Sequence, residues 1–496
     1  MSLLIALLLV GGGVAWFSER LGAELPARVS LAVLLVAAVL FFNLSLAASV
    51  AGPDAAGWLA FEQYRWIPRF GIQFILAMDG MSQLLVGLTI LLGIVAVIAS
   101  WTEIKARTGF FQANLLWTLA GTVGVFLAMD LFLFFLFWEV MLVPMYLLIA
   151  IWGHEARAQA ATKFFIFTQA SGLLMLLGIL AAALAYVQQT GTWSFAYTDW
   201  LQQPFTGPLA NAVFLGFLLA FLVKLPAFPV HSWLPDAHTQ APTAGSVILA
   251  GVLLKTGAYG LLRFAVALFP EAAREWSSLL IAVGVVGVLY GAVLAYGQQD
   301  FKRLVAYSSI SHMGFILLGV FAWNSLGWSG AVLQMVAHGL STAALFMIAG
   351  ALQERLHTRA LAQMGGLWQA MPRMGAMAMF FVIASVGLPG LGNFIAEFLV
   401  LAGLWQSAPV LCAIAALGLV TGAVYALWML QQAFHGPLSE EHVALADFGV
   451  RDMCALALLA AGLLCLGIYP QPALDIVAPV LESLATQTMG GVSWTP

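Results

Sequence analysis

Residues 224–238 read KLPAFPVHSWLPDAH and residues 246–255 read SVILAGVLLK, so two lysines, Lys224 and Lys255, lie within long apolar stretches. On the lenient insertion scale, a lysine at the midplane of a bilayer costs roughly 2.5–3.5 kcal/mol. An ionisable residue in such a position is therefore a candidate functional residue. Four more titratable side chains lie in apolar stretches of the chain: Glu139, His312, His338 and Glu397. The sequence thus indicates a protein that handles charge inside a membrane.

The composition excludes an ordinary soluble domain. Of the 496 residues, 62% are hydrophobic and only 8% are charged, and the mean hydropathy is +0.99. Soluble domains carry about 25% charged residues. The net charge of −4 comes without a basic stripe, which argues against nucleic acid as a partner. Because the apolar runs are long and do not alternate with polar residues, they predict an all-α polytopic membrane protein.

A bilayer crossing takes about 20 apolar residues, and by that measure the chain contains about fourteen transmembrane helices. The predicted spans are 2–18, 27–50, 79–101, 111–129, 131–152, 161–187, 208–228, 242–268, 276–297, 303–322, 329–353, 373–403, 409–433 and 452–469. Residues 1–496 then form a single membrane domain. Its predicted parts are three N-terminal spans in 1–110, spans 4–8 in 111–268, spans 9–13 in 276–433, a last span at 452–469 and a C-terminal tail at 470–496. Aromatic and β-branched residues in the loop 51–78 predict a short hairpin.

An even number of spans places both termini on one side of the membrane. Lys and Arg residues fall unequally on the two sets of loops, and cytoplasmic loops carry the excess. Twelve occupy one set: Arg20, Arg28, Lys105, Arg107, Arg157, Lys163, Lys302, Arg303, Arg355, Arg359, Arg373 and Arg451. Four occupy the other: Arg65, Arg69, Arg263 and Arg274. We therefore expect both termini to lie outside the cytoplasm.

Two predicted spans are interrupted by helix-breaking residues. The seventh runs into Pro226 and Pro229, and the twelfth contains Pro389 and Gly390. A proline removes a backbone donor, and free backbone is tolerated at membrane depth only inside protein or beside a wet cavity. Interrupted spans at matching positions are typical of inverted-repeat transporters, and these two lie five spans apart. The pattern predicts two inverted five-helix repeats, each with one broken helix (spans 7 and 12). Simple helix kinks are the alternative.

Glu139 lies about nine residues into the fifth span, where a lone ionised carboxylate is very costly. It must be protonated or paired with a cation, and Lys224, two spans later, is the expected partner. Moving the partner away would release the lysine proton, which would make the pair a charge-coupled switch. A static structural ion pair is the alternative.

Lys255 has apolar neighbours and no carboxylate in its own span, which suits a proton carrier better than a structural cation. His312 and His338 lie near the middle of consecutive spans, and histidine readily changes protonation near neutral pH. Glu397, just after the second break, is the expected exit-side group. Each histidine alone could be an ordinary core residue, but two of them between a lysine and a carboxylate favour a relay. No third ligand at suitable spacing supports a metal site.

Three further polar residues, His231, Asp236 and His238, follow Lys224 on a predicted cytoplasmic loop. They are weaker candidates for proton uptake from the cytoplasm. The alternative is that they are solvated residues of a surface loop.

Four segments carry a resemblance to a known family. They are FWE at 137–139, LVKLPAFPVHSWLPDAH at 222–238, LKTGAYG at 254–260 and DFKRLVAYSSISHMG at 300–314. These segments resemble the antiporter-like membrane subunits of respiratory complex I, the proton-pumping NADH:quinone oxidoreductase. The resemblance runs over nearly the whole chain and is closest to the M type, which corresponds to the mitochondrial fourth subunit. The L and N types carry a lysine where this chain has Glu397.

The resemblance implies a role for each buried group. Glu139 and Lys224 would form the switch pair, and Lys255 would be the central proton carrier. Glu397 would be the terminal group. His312 and His338 would lie between the carrier and that terminal group.

The resemblance also implies that this chain holds no cofactor. Flavin and iron–sulfur clusters are expected in partner subunits, and NADH and quinone are expected to bind only to distant subunits. The scattered cysteines agree, because a cluster or a structural zinc takes about four ligands. Expected partners are lipids and the other membrane subunits, including neighbouring antiporter-like subunits and the lateral helix of one of them. The expected location is the bacterial cytoplasmic (inner) membrane, with both termini on the periplasmic side.

Other functions stay open at this point. One is the D-type subunit of a multi-subunit sodium/proton antiporter, whose fold and motifs are similar. Another is a membrane subunit of a related hydrogenase or formate-oxidising complex. A purely structural scaffold is the last alternative, but it leaves six titratable groups in apolar spans unexplained.

Overall fold

The computed structural model describes residues 1–489 except Pro53, Ala55, Ala56 and Pro204. Residues 490–496 of the predicted C-terminal tail lie outside the described residues. The helices are α1 Ser2–Ser18, α2 Leu25–Ala51, α3 Gly80–Ala99, α4 Thr108–Leu127, α5 Leu131–Trp152, α6 Arg157–Thr190, α7 Tyr197–Gln202, α8 Gly207–Lys224, α9 Trp233–Gln240, α10 Thr243–Ile248, α11 Leu254–Gly260, α12 Pro270–Tyr296, α13 Phe301–Val320, α14 Ser325–Leu356, α15 Leu367–Ala370, α16 Pro372–Ser385, α17 Gly392–Ser407, α18 Pro409–Phe434, α19 Val450–Ile468 and α20 Gln471–Met489. Short 3-10 turns cover Glu19–Leu21, Pro68–Phe70, Leu361–Gln363 and Glu440–His442.

The polytopic helical fold is confirmed. Within the described residues, 13 helices are long and apolar enough to cross a membrane, and they match every predicted span except the twelfth. The predicted span 373–403 is present as two shorter helices, α16 and α17, on either side of a break. The predicted tail is also partly helical, because α20 covers Gln471–Met489. How the spans divide into repeats stays a prediction.

Aspartates set where the helices with functional side chains begin. Asp130 accepts hydrogen bonds from the N–H groups of Phe132 and Leu133 at the start of α5, the helix that carries Glu139. Asp300 accepts from Arg303 N at 2.9 Å at the start of α13, which carries His312. Such N-caps satisfy backbone donors that a helix leaves free, and they fix its register.

The predicted hairpin is present at one end of the helical bundle. Strands β1 Ala60–Ile67 and β2 Ile72–Met78 pair antiparallel. The N-terminal ammonium of Met1 forms an ion pair with Glu62 on β1, and Gln73 N donates to Asp130 at 2.9 Å. We call this the hairpin end of the molecule.

The opposite end gathers many of the basic residues, and we call it the basic end. Asp236 pairs there with Lys163 at 2.7 Å and with Arg303 at 3.1 Å. Arg359 pairs with Asp300 at 2.9 Å. The clustering agrees with the unequal distribution of Lys and Arg on the two sets of loops.

One continuous helix, Thr243–Val266, lies at the centre of the molecule and is fully buried. It comprises α10 and α11, with π-helical turns at Leu249–Leu253 and Leu261–Val266. Lys255 follows the first π-turn directly, a type of distortion that is frequent at functional sites. Arg263, expected on a loop, is instead buried in the second π-turn and forms an ion pair with Asp79.

The two breaks have the same backbone geometry. Helix α8 ends at Lys224, and Ala227 N donates back to Leu222 O at 2.9 Å. Helix α16 ends at Ser385, and Leu388 N donates back to Ile383 O at 3.4 Å. Both bonds span five residues, as in a Schellman helix end. The first break therefore begins at Lys224 itself, slightly before the expected prolines.

Candidate functional site

Lys255 is completely buried and has an imidazole as its polar partner. Its Nζ lies 2.7 Å from His338 Nδ1 on α14. It also donates to the carbonyl of Ala250, which belongs to the preceding π-turn. Its neighbours within its own span are apolar, as expected, and its polar partner comes from another helix.

From His338 the polar contacts continue to Glu397. The rings of His338 and His312 face each other edge to face with 5.4 Å between their centroids. His312 Nδ1 lies 2.8 Å from Glu397 Oε1, and Gln334 Nε2 donates to the same oxygen at 2.8 Å. All of these side chains are buried. The structure thus brings together four residues that the sequence placed in one relay, and it places them in the expected order.

Glu139 and Lys224 do not form the expected ion pair. Neither Lys224 Nζ nor Glu139 Oε1 has a hydrogen-bond partner among the described residues. Lys224 lies instead over two aromatic rings, with its Nζ 5.3 Å from the centroid of Trp138 and 5.8 Å from that of Phe164. Cation–π attraction of this kind stabilises a desolvated ammonium by about 2 kcal/mol. In this structure the expected switch pair is open, although Glu139 and Lys224 remain electrostatic neighbours.

Glu139 is only half-buried, which the sequence did not predict. It shares an outward face of α5 with Leu136 and Val143, which are 39% and 49% exposed. On its inner side, helix α6 comes close at Gly172, where a Cβ would lie 3.1 Å from Glu139 Oε1. The amide of Gln169, also on α6, lies beside the carboxylate.

The segment after Lys224 is not the solvated loop that the sequence allowed. His231 and His238 are both buried, and His238 is 0% exposed. The His238 ring stacks on Phe346 at 4.4 Å, and Lys302 and Lys255 are its charged neighbours. Asp236 is half-buried in its salt bridges at the basic end. Of the three weaker candidates, His238 therefore lies nearest to the relay.

Sequence reasoning missed several polar residues of the site. Gln334 could have been found, because it precedes His338 by four residues and so shares a helix face with it. Glu103 and Lys302 gave no such signal. Glu103 lies in a loop, and Lys302 looks like an ordinary basic residue at the end of a span. The structure places both around the segment that joins α9 to α10, where Thr243 N donates to Glu103 and Lys302 donates to Ala241 O.

A second polar cluster lies at the hairpin end. Arg263 forms an ion pair with Asp79, and its guanidinium lies within 6 Å of the rings of Trp58, Tyr197 and Tyr259. A cavity of about 440 Å³ opens beside this pair and is closed on one side by α20. Over the described part of the chain, no three His, Cys, Asp or Glu side chains are placed to hold a metal ion.

A family model described as NADH:quinone oxidoreductase/Mrp antiporter, TM, matches residues 128–423, which is more than half of the chain. The chain belongs to this family. Within the family it is 48% identical over 502 residues to NADH-quinone oxidoreductase subunit M of Escherichia coli strain K12, with 99% of each chain covered. Subunit M of Pseudomonas aeruginosa is 49% identical over 493 residues, with 97% of this chain and 96% of the relative covered. These identities confirm the resemblance to the M-type subunits.

Solved structures with the same fold are found in respiratory complex I and in the Mrp complex. A chain of respiratory complex I from Thermus thermophilus superposes with a TM-score of 0.89 at 31% identity, covering 98% of this chain and 99% of that one. A chain of the Mrp complex from Dietzia sp. has a TM-score of 0.82 at 24% identity and covers 100% of this chain and 52% of its own length. The second likeness shows a shared fold only.

Proposed function

We propose that this member of the family moves protons along the buried chain Lys255–His338–His312–Glu397 and that Glu139 and Lys224 control its loading. The chain is a proton-translocating membrane subunit of NADH:quinone oxidoreductase, as its full-length identity to M-type subunits shows. The observation that carries the proposed route is the series of contacts from lysine to carboxylate: Lys255 to His338 at 2.7 Å, an edge-to-face ring contact of His338 with His312 at 5.4 Å between centroids, and His312 to Glu397 at 2.8 Å.

Each member of this series can both accept and donate a proton, which a relay requires. The two imidazoles each have one ring nitrogen, Nε2, without a hydrogen-bond partner among the described residues. Those nitrogens are available for proton exchange while Nδ1 holds the neighbouring group. The amide of Gln334 orients Glu397 without titrating itself.

The open pair supports the role of Glu139 and Lys224 as a switch. Aromatic rings stabilise a lysine ammonium less than a bound carboxylate does, so a lysine over such rings loses its proton more easily. In the closed arrangement, Glu139 would bind the Lys224 ammonium. In the open arrangement, the lysine would give up its proton towards the relay.

The matched breaks after Lys224 and Ser385 support two inverted five-helix repeats, with spans 4–8 in 111–268 and spans 9–13 in 276–433. Pro226 and Pro229 lie in the first break, and Pro389 and Gly390 lie in the second. In each repeat a titratable group, Lys224 or Glu397, lies within two turns of the break. We place the basic end in the cytoplasm and both termini on the periplasmic side of a bacterial inner membrane, because basic loops face the cytoplasm.

The outward position of Glu139 supports a partner on that face. A half-buried carboxylate between exposed leucine and valine is unfavourable against lipid. A neighbouring antiporter-like subunit, or the lateral helix of one, would cover it. In this assignment the flavin, the iron–sulfur clusters and the NADH and quinone sites belong to other subunits, and this chain binds lipids but no nucleic acid.

The switch is tested by replacing Glu139 or Lys224 with Ala in the intact complex. We expect a loss of redox-linked proton pumping of at least about tenfold, because each change removes one partner of the charge pair. The readouts are quinone reduction by NADH and acidification of inverted membrane vesicles. Glu155→Ala and Lys105→Ala, at exposed positions near the basic end, are the matched controls. Normal pumping in a fully assembled Glu139→Ala complex would refute the assignment.

The same preparation separates the alternative functions. Copurification with flavin and iron–sulfur subunits, and pumping that does not depend on sodium, are expected for the complex I assignment. A nickel subunit would indicate the hydrogenase-type assembly instead. Sodium-dependent proton exchange without any redox partner would indicate the antiporter, whose fold this chain shares.

A further inference from the structure

The link between α9 and α10 joins two helices of the proposed route. Helix α9 carries His238, and the helix that begins at Thr243 carries Lys255. Only Ala241 and Pro242 separate these helices. The position of this link therefore sets how His238 lies relative to Lys255.

Charged side chains from three other segments hold the link. Thr243 N donates to both carboxylate oxygens of Glu103, at 3.0 and 3.1 Å. Lys302 Nζ donates to Ala241 O at 2.5 Å. Arg359 Nη1 donates to Thr239 O at 2.5 Å. Ordinary turns are held by backbone bonds or by neutral side chains, so three ionic groups on five consecutive residues are unusual.

Glu103 is the titratable member of this group that lies outside the spans. It is half-buried at the basic end, in the connection between α3 and α4. Burial raises the pKa of the Glu103 carboxyl above its ordinary value, and Glu354 adds to the rise, whereas Lys302 and the Thr243 N–H oppose it. The carboxyl group is therefore shifted towards protonation at physiological pH, as a proton-accepting group requires.

His238 is an electrostatic neighbour of both this group and the proposed relay. Its ring is fully buried, and neither ring nitrogen has a hydrogen-bond partner among the described residues. Lys302, which holds the link, is one of its charged neighbours, and Lys255, the proposed carrier, is another. A buried imidazole with both nitrogens unbonded is rare, since buried polar atoms are usually satisfied.

We propose that Glu103 takes up the cytoplasmic proton that His238 passes to Lys255, and that Lys302 holds this carboxylate in place on the link. The carboxylate accepts a proton from water at the basic end and becomes a neutral acid. The acid gives that proton to a ring nitrogen of His238, and the imidazolium gives one to the neutral amine of Lys255. Only O–H and N–H bonds form and break. The proposal rests on the proposed function, since it requires Lys255 to be a carrier.

A structural role for Glu103 would look different from this one. A carboxylate that merely caps the helix at Thr243 could be replaced by an amide, because the amide oxygen also accepts a hydrogen bond from the N–H. Glu103→Gln keeps that acceptor and removes the titration. Glu103→Asp keeps the titration on a shorter side chain. The two variants therefore separate capping from proton uptake.

The test measures NADH-driven proton pumping against pH in inverted vesicles that contain the intact complex. We expect Glu103→Gln to pump about tenfold more slowly than the wild type near pH 8 and to recover towards about pH 6, because uptake then depends directly on the proton concentration. Glu103→Asp should retain most of the activity. Glu155→Gln is the control, since Glu155 is an exposed carboxylate near the basic end that does not act on Glu103.

Two results would overturn the inference: wild-type pumping by Glu103→Gln at every pH, or the same fractional loss at every pH. If the Gln variant does not assemble, the assembled Asp variant decides: the same large loss of pumping at every pH in Glu103→Asp would contradict uptake through this carboxyl, because Asp keeps the titration. Lys255→Ala, measured in parallel, shows whether the proposed function or only this inference has failed. Normal pumping by Lys255→Ala removes the proposed function itself. Normal pumping by Glu103→Gln beside an inactive Lys255→Ala removes only this inference.

Discussion

At the scale of single residues, the two lysines in apolar stretches have different surroundings. Lys224 lies over aromatic rings without a hydrogen-bond partner among the described residues. Lys255 contacts an imidazole and a backbone carbonyl. An ammonium held by neutral groups can lose its proton without leaving an unpaired carboxylate behind. Both environments therefore suit proton transfer better than permanent charge.

His338 is the residue on which the proposed relay depends most, because its imidazole contacts Lys255 and faces His312. His338→Gln keeps a polar side chain of similar size but cannot carry a proton. We expect redox-linked pumping to fall about tenfold or more, as is usual when a general acid–base group is lost. The measurement is vesicle acidification normalised to the amount of assembled complex. His435→Gln, at an exposed position, should pump normally, and equal rates for the two variants would contradict the relay.

At the scale of helices, the apolar runs were enough to predict the spans, and the prolines were enough to predict both breaks. Local sequence could not show that α9 is buried, because WLPDAHTQ reads as a polar loop and only packing against α6 and α13 covers it. The sequence also could not show which side chains contact the candidate residues, because the partners are far apart along the chain. Lys255 and His338 are 83 residues apart in sequence, and Glu103 and Thr243 are 140 apart.

The second break also depends on a glycine whose backbone other residues rarely adopt. Gly390 has φ +96°, and a Cβ added there would meet no atom within 4 Å. Gly390→Ala should therefore destabilise the chain for conformational reasons alone, by about 1–2 kcal/mol. Gly13 has equally open space but lies within helix α1, so Gly13→Ala should be neutral or slightly stabilising.

The stability of both variants is measured as the midpoint temperature at which this chain dissociates from the detergent-solubilised complex. A lower midpoint for Gly390→Ala together with an unchanged or higher midpoint for Gly13→Ala is expected. If both glycines tolerate alanine equally, the break at 386–391 does not need the positive φ of Gly390.

At the scale of the whole molecule, its two ends differ in both structure and charge. The hairpin, the Asp79–Arg263 pair and α20 lie at one end, and most of the lysines and arginines lie at the other. The proposed relay crosses from helix to helix, because Lys255, His338 and Glu397 lie on different helices. On the proposed route, a proton taken up at the basic end would therefore move between helices before its release.

The direction assigned to this route requires the basic end to face the cytoplasm, and this orientation can be measured directly. Single cysteines are introduced as Glu482→Cys on α20 and Lys105→Cys between α3 and α4, both at exposed positions, in a chain whose Cys412, Cys454 and Cys465 have been replaced. A membrane-impermeant maleimide added to intact spheroplasts should label Glu482→Cys and leave Lys105→Cys unlabelled, because basic loops stay in the cytoplasm. Inverted vesicles should give the opposite pattern. Labelling of Lys105→Cys from the periplasmic side would reverse the assigned direction of uptake and place Glu103 on the release side of the membrane.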